Sequence, residues 1–316
     1  MAEEPSRHFA VTHRSVLAIA LPLTLAYLPT PLVGIVNLGA VGQAGDPAVI
    51  GGVSIGALVF DIVFLSFNFL RAGTTGLVAQ AVGAGDRREV AATLARALAL
   101  AVAIGIVLLL LQAPVIRIAQ YLIGGSAEVQ AATAAYWHVR IFSAPFTLAN
   151  YVILGWLIGL GRAGWGLVLQ AVLNGVNIVL SVLLVAGYDL GPAGVGWASL
   201  AAEVITALAG CVLVLRFTEP AVRPALRAVF DRFALLRLFA LNRDIMIRTL
   251  ALLFAFAFFT ARSAATGDIV LAANELLINL IVLAAYFLDG LAAAAEQLAG
   301  RAVGARHRPA FERTVR

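Results

Sequence analysis

A few ionisable side chains lie inside long apolar stretches of the sequence, where the chemistry open to them is the binding and release of a proton or another cation. Glu203 stands midway along the apolar stretch 193–215, without an evident partner nearby in the sequence, and Asp289 lies within the stretch 269–300. An ionisable group at membrane depth costs about 2.5–3.5 kcal/mol on insertion scales, so each needs a structural or functional reason. Burial disfavours the charged form of a carboxylate, so Glu203 could exchange a proton. Asp289 should face either a cavity or another helix.

Amides and a possible ion pair form a second group of candidates. Asn174 and Asn177 share one face of a helix, and Asn37 lies near the end of the first apolar stretch. Amides at membrane depth either join helices by hydrogen bonds or bind a ligand, and the sequence leaves both open. Asp244 and Arg248 have the i,i+4 spacing of an ion pair on one helical face, with either a structural or a coupling role.

The sequence predicts neither a metal site nor a cofactor. His138 has no partner at the spacing that metal ligands need. There is no Walker loop and no HExxH pattern, so ATP-driven chemistry and zinc-dependent hydrolysis have no support. We therefore expect that the protein is not an enzyme.

The composition indicates an all-α polytopic membrane protein. The 316 residues are 62% hydrophobic and 12% charged, whereas soluble proteins are roughly half apolar and a quarter charged. The mean hydropathy is +0.97. Because a spanning helix needs about 20 largely apolar residues, the expected spans are 15–40, 49–80, 92–115, 131–160, 165–186, 193–215, 244–264 and 269–300.

The distribution of arginine predicts the orientation of these spans. All 22 basic residues are arginines, and the formal net charge is +5. A cytoplasmic N-terminus leaves most of them on the cytoplasmic side, as the positive-inside rule requires. The charge therefore indicates topology and contact with membrane lipid, not nucleic-acid binding. Four tryptophans near span ends are expected to anchor the protein at the membrane interface, and they are Trp137, Trp156, Trp165 and Trp197.

An internal repeat divides the chain into two unequal parts. The tetrapeptide Ala-Val-Gly-Ala at 81–84 returns at 302–305, an offset of 304 − 83 = 221 residues. In membrane proteins a duplication of this size is typical of secondary transporters, whose binding site lies between the two halves. We expect an N-lobe of six spans at 1–215, a basic amphipathic linker at 216–243 and a partial C-lobe at 244–316, so that the second repeat looks truncated.

Several motifs resemble those of the multidrug and toxic compound extrusion (MATE) transporters, and in particular their DNA-damage-inducible F (DinF) branch. The resemblance covers nearly all of the chain in one register. The segments that carry it are FLRAGTTGLVAQAVGA at 69–84, NGVNIVL at 174–180, GVGWASLAAE at 194–203, ALNRDIMIR at 240–248 and LDG at 288–290.

This resemblance implies a two-lobed bundle of twelve transmembrane helices, of which about eight are present here, in a bacterial-type inner membrane. It implies export of small amphipathic, often cationic, compounds by antiport against protons or sodium with alternating access. Family members typically have aspartates where this chain has Asn37 and Ser181, and an amide or hydroxyl cannot release a proton at physiological pH. Coupling has then either moved, with Glu203 as the natural replacement, or is poor or absent.

Two alternatives stay open at this stage. A flippase for lipid-linked sugars, found in the same superfamily, would need arginines to bind pyrophosphate, and only Arg71, Arg140 and Arg248 are candidates. A remnant without transport activity would explain the early end and the missing carboxylates. The expected substrate- or cation-binding set is Asn37, Asn174, Asn177, Ser181, Glu203 and Asp289.

Overall fold

The chain folds into helices that are joined by short turns, and the described residues contain no β-strand. The computed structural model describes residues 11–43, 46–219, 221, 224, 229, 231–266 and 268–315. The helices are α1 (His13–Tyr27), α2 (Thr30–Gly42), α3 (Pro47–Leu65), α4 (Phe69–Gly83), α5 (Arg87–Leu110), α6 (Gln112–Ile123), α7 (Ala127–Arg140), α8 (Ala144–Gly159), α9 (Ala163–Val182), α10 (Gly191–Phe217), α11 (Arg232–Thr266), α12 (Asp268–Gly304) and α13 (Arg308–Val315).

Hydropathy located the membrane spans well. Within the described residues, the helical segments long and apolar enough to cross a membrane are His13–Gly42, Pro47–Gly83, Arg87–Leu110, Ala127–Gly159, Ala163–Gly187, Gly191–Phe217 and Leu280–Gly304. These seven match seven of the eight expected spans. The span expected at 244–264 lies within the longer helix α11, which is not one of the seven.

Side-chain caps explain where several spans begin. Asp46 accepts a hydrogen bond from the backbone of Ala48 at 2.8 Å, Asp86 accepts one from Glu89 at 2.9 Å, and Ser126 accepts one from Val129 at 3.3 Å. Each bond satisfies one of the backbone N–H groups that a helix leaves unpaired in its first turn. The first span breaks between α1 and α2 at Leu28 and Pro29, as its proline content predicts.

The two ends of the linker expected at 216–243 belong to the neighbouring helices α10 and α11. Arg216 belongs to the last turn of α10, and α11 already begins at Arg232. Most of the intervening segment, in which the amphipathic pattern was noted, lies outside the described residues. The division into an N-lobe, a linker and a partial C-lobe therefore stays a prediction.

The main apolar core lies between α3, α4, α5, α7 and α8. Trp137 and Trp156 are each only 1% exposed and belong to this core, whereas Trp165 and Trp197 are exposed. Two of the four tryptophans expected as interface anchors are therefore packed inside the protein, and the other two are exposed. The two buried tryptophans lie on helix faces that pack against neighbouring helices, and hydropathy alone does not distinguish such a face from one in contact with lipid.

The two copies of the repeated tetrapeptide contact each other. A Cβ atom added to Gly83 of α4 would overlap the backbone carbonyl of Arg301, and one added to Gly304 of α12 would overlap the carbonyl of Gln80. Since 80 + 221 = 301 and 83 + 221 = 304, the two contacts are equivalent under the repeat. Small residues let two transmembrane backbones approach closely. The repeat thus marks the point where α4 and α12 cross.

Candidate functional site

Glu203 lies in a buried polar cluster at the middle of the N-terminal spans. Its side chain belongs to α10 and is 7% exposed, and its Oε1 lies 3.7 Å from Nη2 of Arg140, at the end of α7. Asn150 of α8 donates from Nδ2 to Glu203 Oε2 at 2.7 Å and to the Glu203 backbone carbonyl at 3.0 Å. Three helices therefore hold this carboxylate.

Arg140 lies farther from Glu203 than from its hydrogen-bond partner Ser143. It donates from Nη1 to Ser143 Oγ at 2.8 Å, and its guanidinium lies 3.9 Å from the centre of the Phe60 ring. Its buried Nε has no hydrogen-bond partner among the described residues. At 3.7 Å the contact with Glu203 is an ion pair without a hydrogen bond. A single proton on Glu203 would remove the charge attraction while leaving Arg140 its other contacts.

A second polar cluster joins α9 to α10. Asn177 donates from Nδ2 to Ser199 Oγ at 2.8 Å, and Ser181 donates to Asn177 Oδ1 at 3.3 Å. All three side chains are buried. Ser199 lies four residues before Glu203 and therefore on the same face of α10. Asn177 and Ser181 of α9 are thus linked to α10 through Ser199, one helical turn from Glu203.

The other two amides of the expected set stand apart from these clusters. Asn174 is buried on α9, and its Nδ2 has no hydrogen-bond partner within the described part of the chain. The same holds for Oδ1 of Asn37 on α2. The helices α2 and α9 pack against each other. Unsatisfied buried amide groups are rare in proteins, and a bound ligand or ion is one explanation for them.

Asp289 lies on the side of the molecule where α12 packs against α1 and α4. It is exposed and acts electrostatically on Arg71 of α4 together with Glu296, which is one of its α12 neighbours. Arg71 donates from Nε to Asn68 Oδ1 at 3.0 Å and from Nη1 to the Tyr27 hydroxyl at 3.1 Å. This surface therefore combines charges from both repeats.

A further acidic pair lies near the same surface. Tyr286 of α12 is within electrostatic range of both Asp61 of α3 and Asp289, and both of these carboxylates are exposed. Asp61 is itself within range of Arg140. The carboxylates of α3 and α12 thus both contribute negative potential at the Tyr286 side chain.

The ion pair expected between Asp244 and Arg248 takes a different form. Asp244 Oδ1 lies 3.1 Å from Nε of the adjacent Arg243, and both side chains are exposed. Arg248 is exposed as well and acts electrostatically on Glu296. An exposed side chain can pair with any of several neighbours of opposite charge, so i,i+4 spacing alone does not determine which pair forms.

Arg140 and Asn150, the partners of Glu203, were not expected from the sequence. Both lie far from Glu203 along the chain, on the helical segment Ala127–Gly159. One signal was available, because Arg140 is a lone cation and Glu203 a lone anion at membrane depth, and such charges usually pair.

The sequence also carries a GVSIG stretch at 52–56 that matches the GxSxG pattern of hydrolases. It lies inside α3, whereas a nucleophilic serine of that type stands on a strand-to-helix turn. Ser54 donates its hydroxyl to the Ile50 carbonyl at 2.8 Å. Gly52 and Gly56 face Ala132 and Tyr136 of α7 at distances too close for a side chain. The pattern therefore serves helix packing. In the described part of the chain no group of three or more histidines, cysteines or acidic residues could hold a metal ion.

Comparison with known proteins decides the family. The MatE family model matches residues 22–183, which is just over half of the chain. The chain belongs to the MatE family. The matched region contains α2 to α9 and with them Arg140, Asn150 and Asn177. Relatives of this MatE chain are transporters rather than enzymes, as the sequence indicated.

The relatives extend beyond the length of this MatE chain. It is 38% identical over 294 residues to the DNA damage-inducible protein F of Escherichia coli (strain K12), covering 91% of this chain and 63% of that protein. It is 22% identical over 195 residues to the multidrug export protein MepA of Staphylococcus aureus (strain NCTC 8325 / PS 47), covering 62% of this chain and 43% of that protein. The chain therefore spans less than two thirds of the curated relatives it matches.

A solved structure confirms the fold. The outward-facing conformation of a multidrug resistance MATE family transporter of the MOP superfamily superposes with a TM-score of 0.86 at 21% identity. The match covers 95% of this MatE chain and 67% of that one. The prediction of an all-α, MATE-type multi-pass membrane protein is confirmed.

Proposed function

We propose that the protein containing this sequence is a secondary active exporter of small amphipathic, often cationic, compounds, driven by inward flow of protons or sodium. The first support is membership of the MatE family, together with relatives that include a multidrug export protein. We further propose a location in a bacterial inner membrane with a cytoplasmic N-terminus.

Glu203 is the proposed coupling group. The observation that carries this proposal is its burial beside Arg140 at 3.7 Å, with Asn150 holding the carboxylate in place. Binding of a cation to the carboxylate would compete with Arg140 for the same negative charge. Glu203 would therefore alternate between a state paired with Arg140 and a state neutralised by the coupling ion, and Arg140 would respond to the change.

The substrate would bind between the two repeats. Asp61 and Asp289 are both exposed and lie near Tyr286, so an organic cation would find negative charge and an aromatic face together. Arg71 would limit the access of cations to one end of this surface. Alternating access would require the crossing of α4 and α12 near Gly83 and Gly304 to open in the opposite state.

The flippase alternative has less support. Arg140 is engaged with Glu203 and Ser143, and Arg71 is engaged with Tyr27 and Asn68. Neither of these two arginines is arranged to meet a pyrophosphate, and the third candidate, Arg248, is exposed and would act alone. A pyrophosphate would need several unengaged cationic groups.

The decisive experiment compares Glu203→Gln with the natural protein in proteoliposomes that contain a pH-sensitive dye. Addition of an exported cationic dye should drive proton movement in the natural protein and should drive none with Glu203→Gln, while dye binding measured by equilibrium dialysis persists. Glu128→Gln is the matched control, because Glu128 is an exposed carboxylate at the end of a span. Parallel measurements under a sodium gradient distinguish the two coupling ions.

Unchanged proton and sodium movement with Glu203→Gln would exclude Glu203 as the coupling group. Dye binding without any transport in the natural protein would instead favour the remnant over the exporter.

A further inference from the structure

A surface cavity of about 360 Å³ opens on the side of the bundle where α4, α8 and α10 end and α5 begins. Its walls combine apolar side chains with a few polar groups, and the apolar ones include Ala81, Val82, Val90, Ala91 and Leu160. Binding sites for small molecules are typically clefts of roughly 300–1,000 Å³ with mostly apolar walls and few polar groups. This cavity is separate from the cluster around Glu203.

Trp156 lines the cavity and carries a hydrogen-bond donor without a partner among the described residues. The side chain is 1% exposed, and that donor is its indole Nε1. An indole nitrogen can only donate. Leaving a buried donor unpaired destabilises a protein, so a ligand that accepts this hydrogen bond would be favoured.

Arg162 supplies positive charge at the mouth of the same cavity. Its guanidinium lies 3.8 Å from the centre of the Phe217 ring, and no described carboxylate forms an ion pair with it. The other arginine of the lining, Arg87, is already neutralised by Glu219. The charged groups of the lining thus leave a single positive charge, which matches one anionic group on the ligand.

The cavity lies at the level where a membrane surface would meet the protein. Its residues come from the ends of the spans Pro47–Gly83, Ala127–Gly159 and Gly191–Phe217 and from the start of Arg87–Leu110. Trp165, which contacts Phe217 edge to face with ring centres 5.9 Å apart, is exposed nearby, as aromatic residues at membrane interfaces commonly are. Pockets of this kind between transmembrane helices bind lipid headgroups.

We propose that this cavity binds the phosphate of an anionic phospholipid, with Trp156 and Arg162 as its hydrogen-bonding and charged partners. The indole N–H would donate to a phosphate oxygen, and the guanidinium would supply a second, charge-assisted bond. The apolar wall from α4 and α5 would contact the glycerol and the first carbons of the acyl chains. This site is independent of the proposed transport function, and neither the test nor its outcome requires transport.

Native mass spectrometry of the detergent-purified protein tests the proposal with phosphatidylglycerol as the probe. The natural protein should retain one phosphatidylglycerol more tightly than phosphatidylcholine. Arg162→Gln should weaken that binding about tenfold, the loss expected for a hydrogen bond to a charged group. Arg14→Gln is the matched control, because Arg14 is exposed in the first turn of α1 and does not line the cavity. It should change binding less than about twofold, as expected for an exposed group outside the site.

Trp156→Phe provides a second and independent variant. Phenylalanine keeps an aromatic ring in the core but removes the N–H group and part of the buried volume, so the lipid-free protein should unfold at a somewhat lower temperature. The rise in unfolding temperature that phosphatidylglycerol produces in the natural protein should shrink in this variant.

Three results would overturn the proposal. Equal binding of phosphatidylglycerol to the Arg162→Gln and Arg14→Gln variants would show that the cavity is not the site. Equal retention of phosphatidylcholine would remove the requirement for an anion. Inorganic phosphate that competes as strongly as the lipid would assign the cavity to a free anion instead.

Discussion

The guanidinium of Arg140 lies 3.7 Å from the carboxylate of Glu203, and both side chains are almost fully buried in the middle of their spans. A buried ion pair loses much of its attraction to the free energy of removing two charges from water, so it is weak evidence for stability. This pair lacks even a direct hydrogen bond. Its value to the protein is therefore better explained by a change of charge at Glu203 than by structural strength.

Replacing one partner of the ion pair should lower the free energy of unfolding more than replacing both partners. We predict that Arg140→Gln lowers the free energy of unfolding by about 3 kcal/mol, because it leaves the Glu203 charge buried without a cation. The double variant Arg140→Gln/Glu203→Gln should recover at least half of that loss. Unfolding in a titration with sodium dodecyl sulfate measures both values, and a double variant that is less stable than Arg140→Gln would contradict the prediction.

Asn177 of α9 and Ser199 of α10 should be energetically coupled, because a hydrogen bond joins their side chains. Ser199→Ala and Asn177→Ala each remove the 2.8 Å hydrogen bond between these residues. Each should lower the free energy of unfolding by about 0.6–1.7 kcal/mol, the range for hydrogen bonds between transmembrane helices. The double variant should cost less than the sum of the two, and strict additivity would show that the bond contributes nothing.

The glycines of the repeat should tolerate no side chain. Gly83→Ala and Gly304→Ala each place a Cβ atom against backbone of the facing helix, so the crossing of α4 and α12 must separate. We predict that a cysteine at the buried position Ala302 then reacts with maleimide about ten times faster. A tenfold increase corresponds to a shift of about 1.4 kcal/mol in the equilibrium between the closed and the separated crossing. The background should carry Cys211→Ser, because Cys211 is exposed.

Gly164→Ala is the control for that experiment, since a Cβ atom there meets no neighbour within 4 Å. Alanine favours a helix over glycine by roughly 0.5–1 kcal/mol, so this variant should be as stable as the natural protein or more so. Equal labelling rates in all three glycine variants would disprove the role of the crossing.

The orientation in the membrane has a direct test. Gln43 and Arg88 are both exposed and lie at opposite ends of the span Pro47–Gly83. In intact cells carrying Cys211→Ser, a membrane-impermeant maleimide should label Gln43→Cys and leave Arg88→Cys unlabelled until the cells are opened. The arginine distribution supplies the reason, and the reverse labelling pattern would place the N-terminus outside.

The sequence predicted most of the spans because a bilayer demands long apolar helices whatever their neighbours are. The binding role expected for Asn177 and Ser181 stays a prediction, although a hydrogen bond joins the two buried side chains. The sequence did not predict that Trp137 and Trp156 would be buried, because helix packing and lipid contact use the same apolar side chains. The seventh expected span lies in a longer helix for a related reason: hydropathy does not mark where a helix ends outside the apolar stretch.

The arrangement of the polar cluster could not be predicted from spacing. Glu203 meets Arg140 and Asn150 only because α10 packs against α7 and α8, and such packing depends on the shapes of many side chains at once. Asp244 illustrates the same limit. It forms its ion pair with Arg243 and not with Arg248, and this depends on the conformations of exposed side chains.

The crossing of α4 and α12 has the form of an isologous contact, in which each of two equivalent surfaces touches the other. In a dimer of identical single-lobe chains, one substitution at this glycine would alter both sides of the interface simultaneously. In a single chain the two positions mutate separately, so Gly83 and Gly304 must each stay small to keep the contact. Asn68 and Asp289, which are equivalent under the same offset, differ in charge although the helices that carry them keep this symmetric contact.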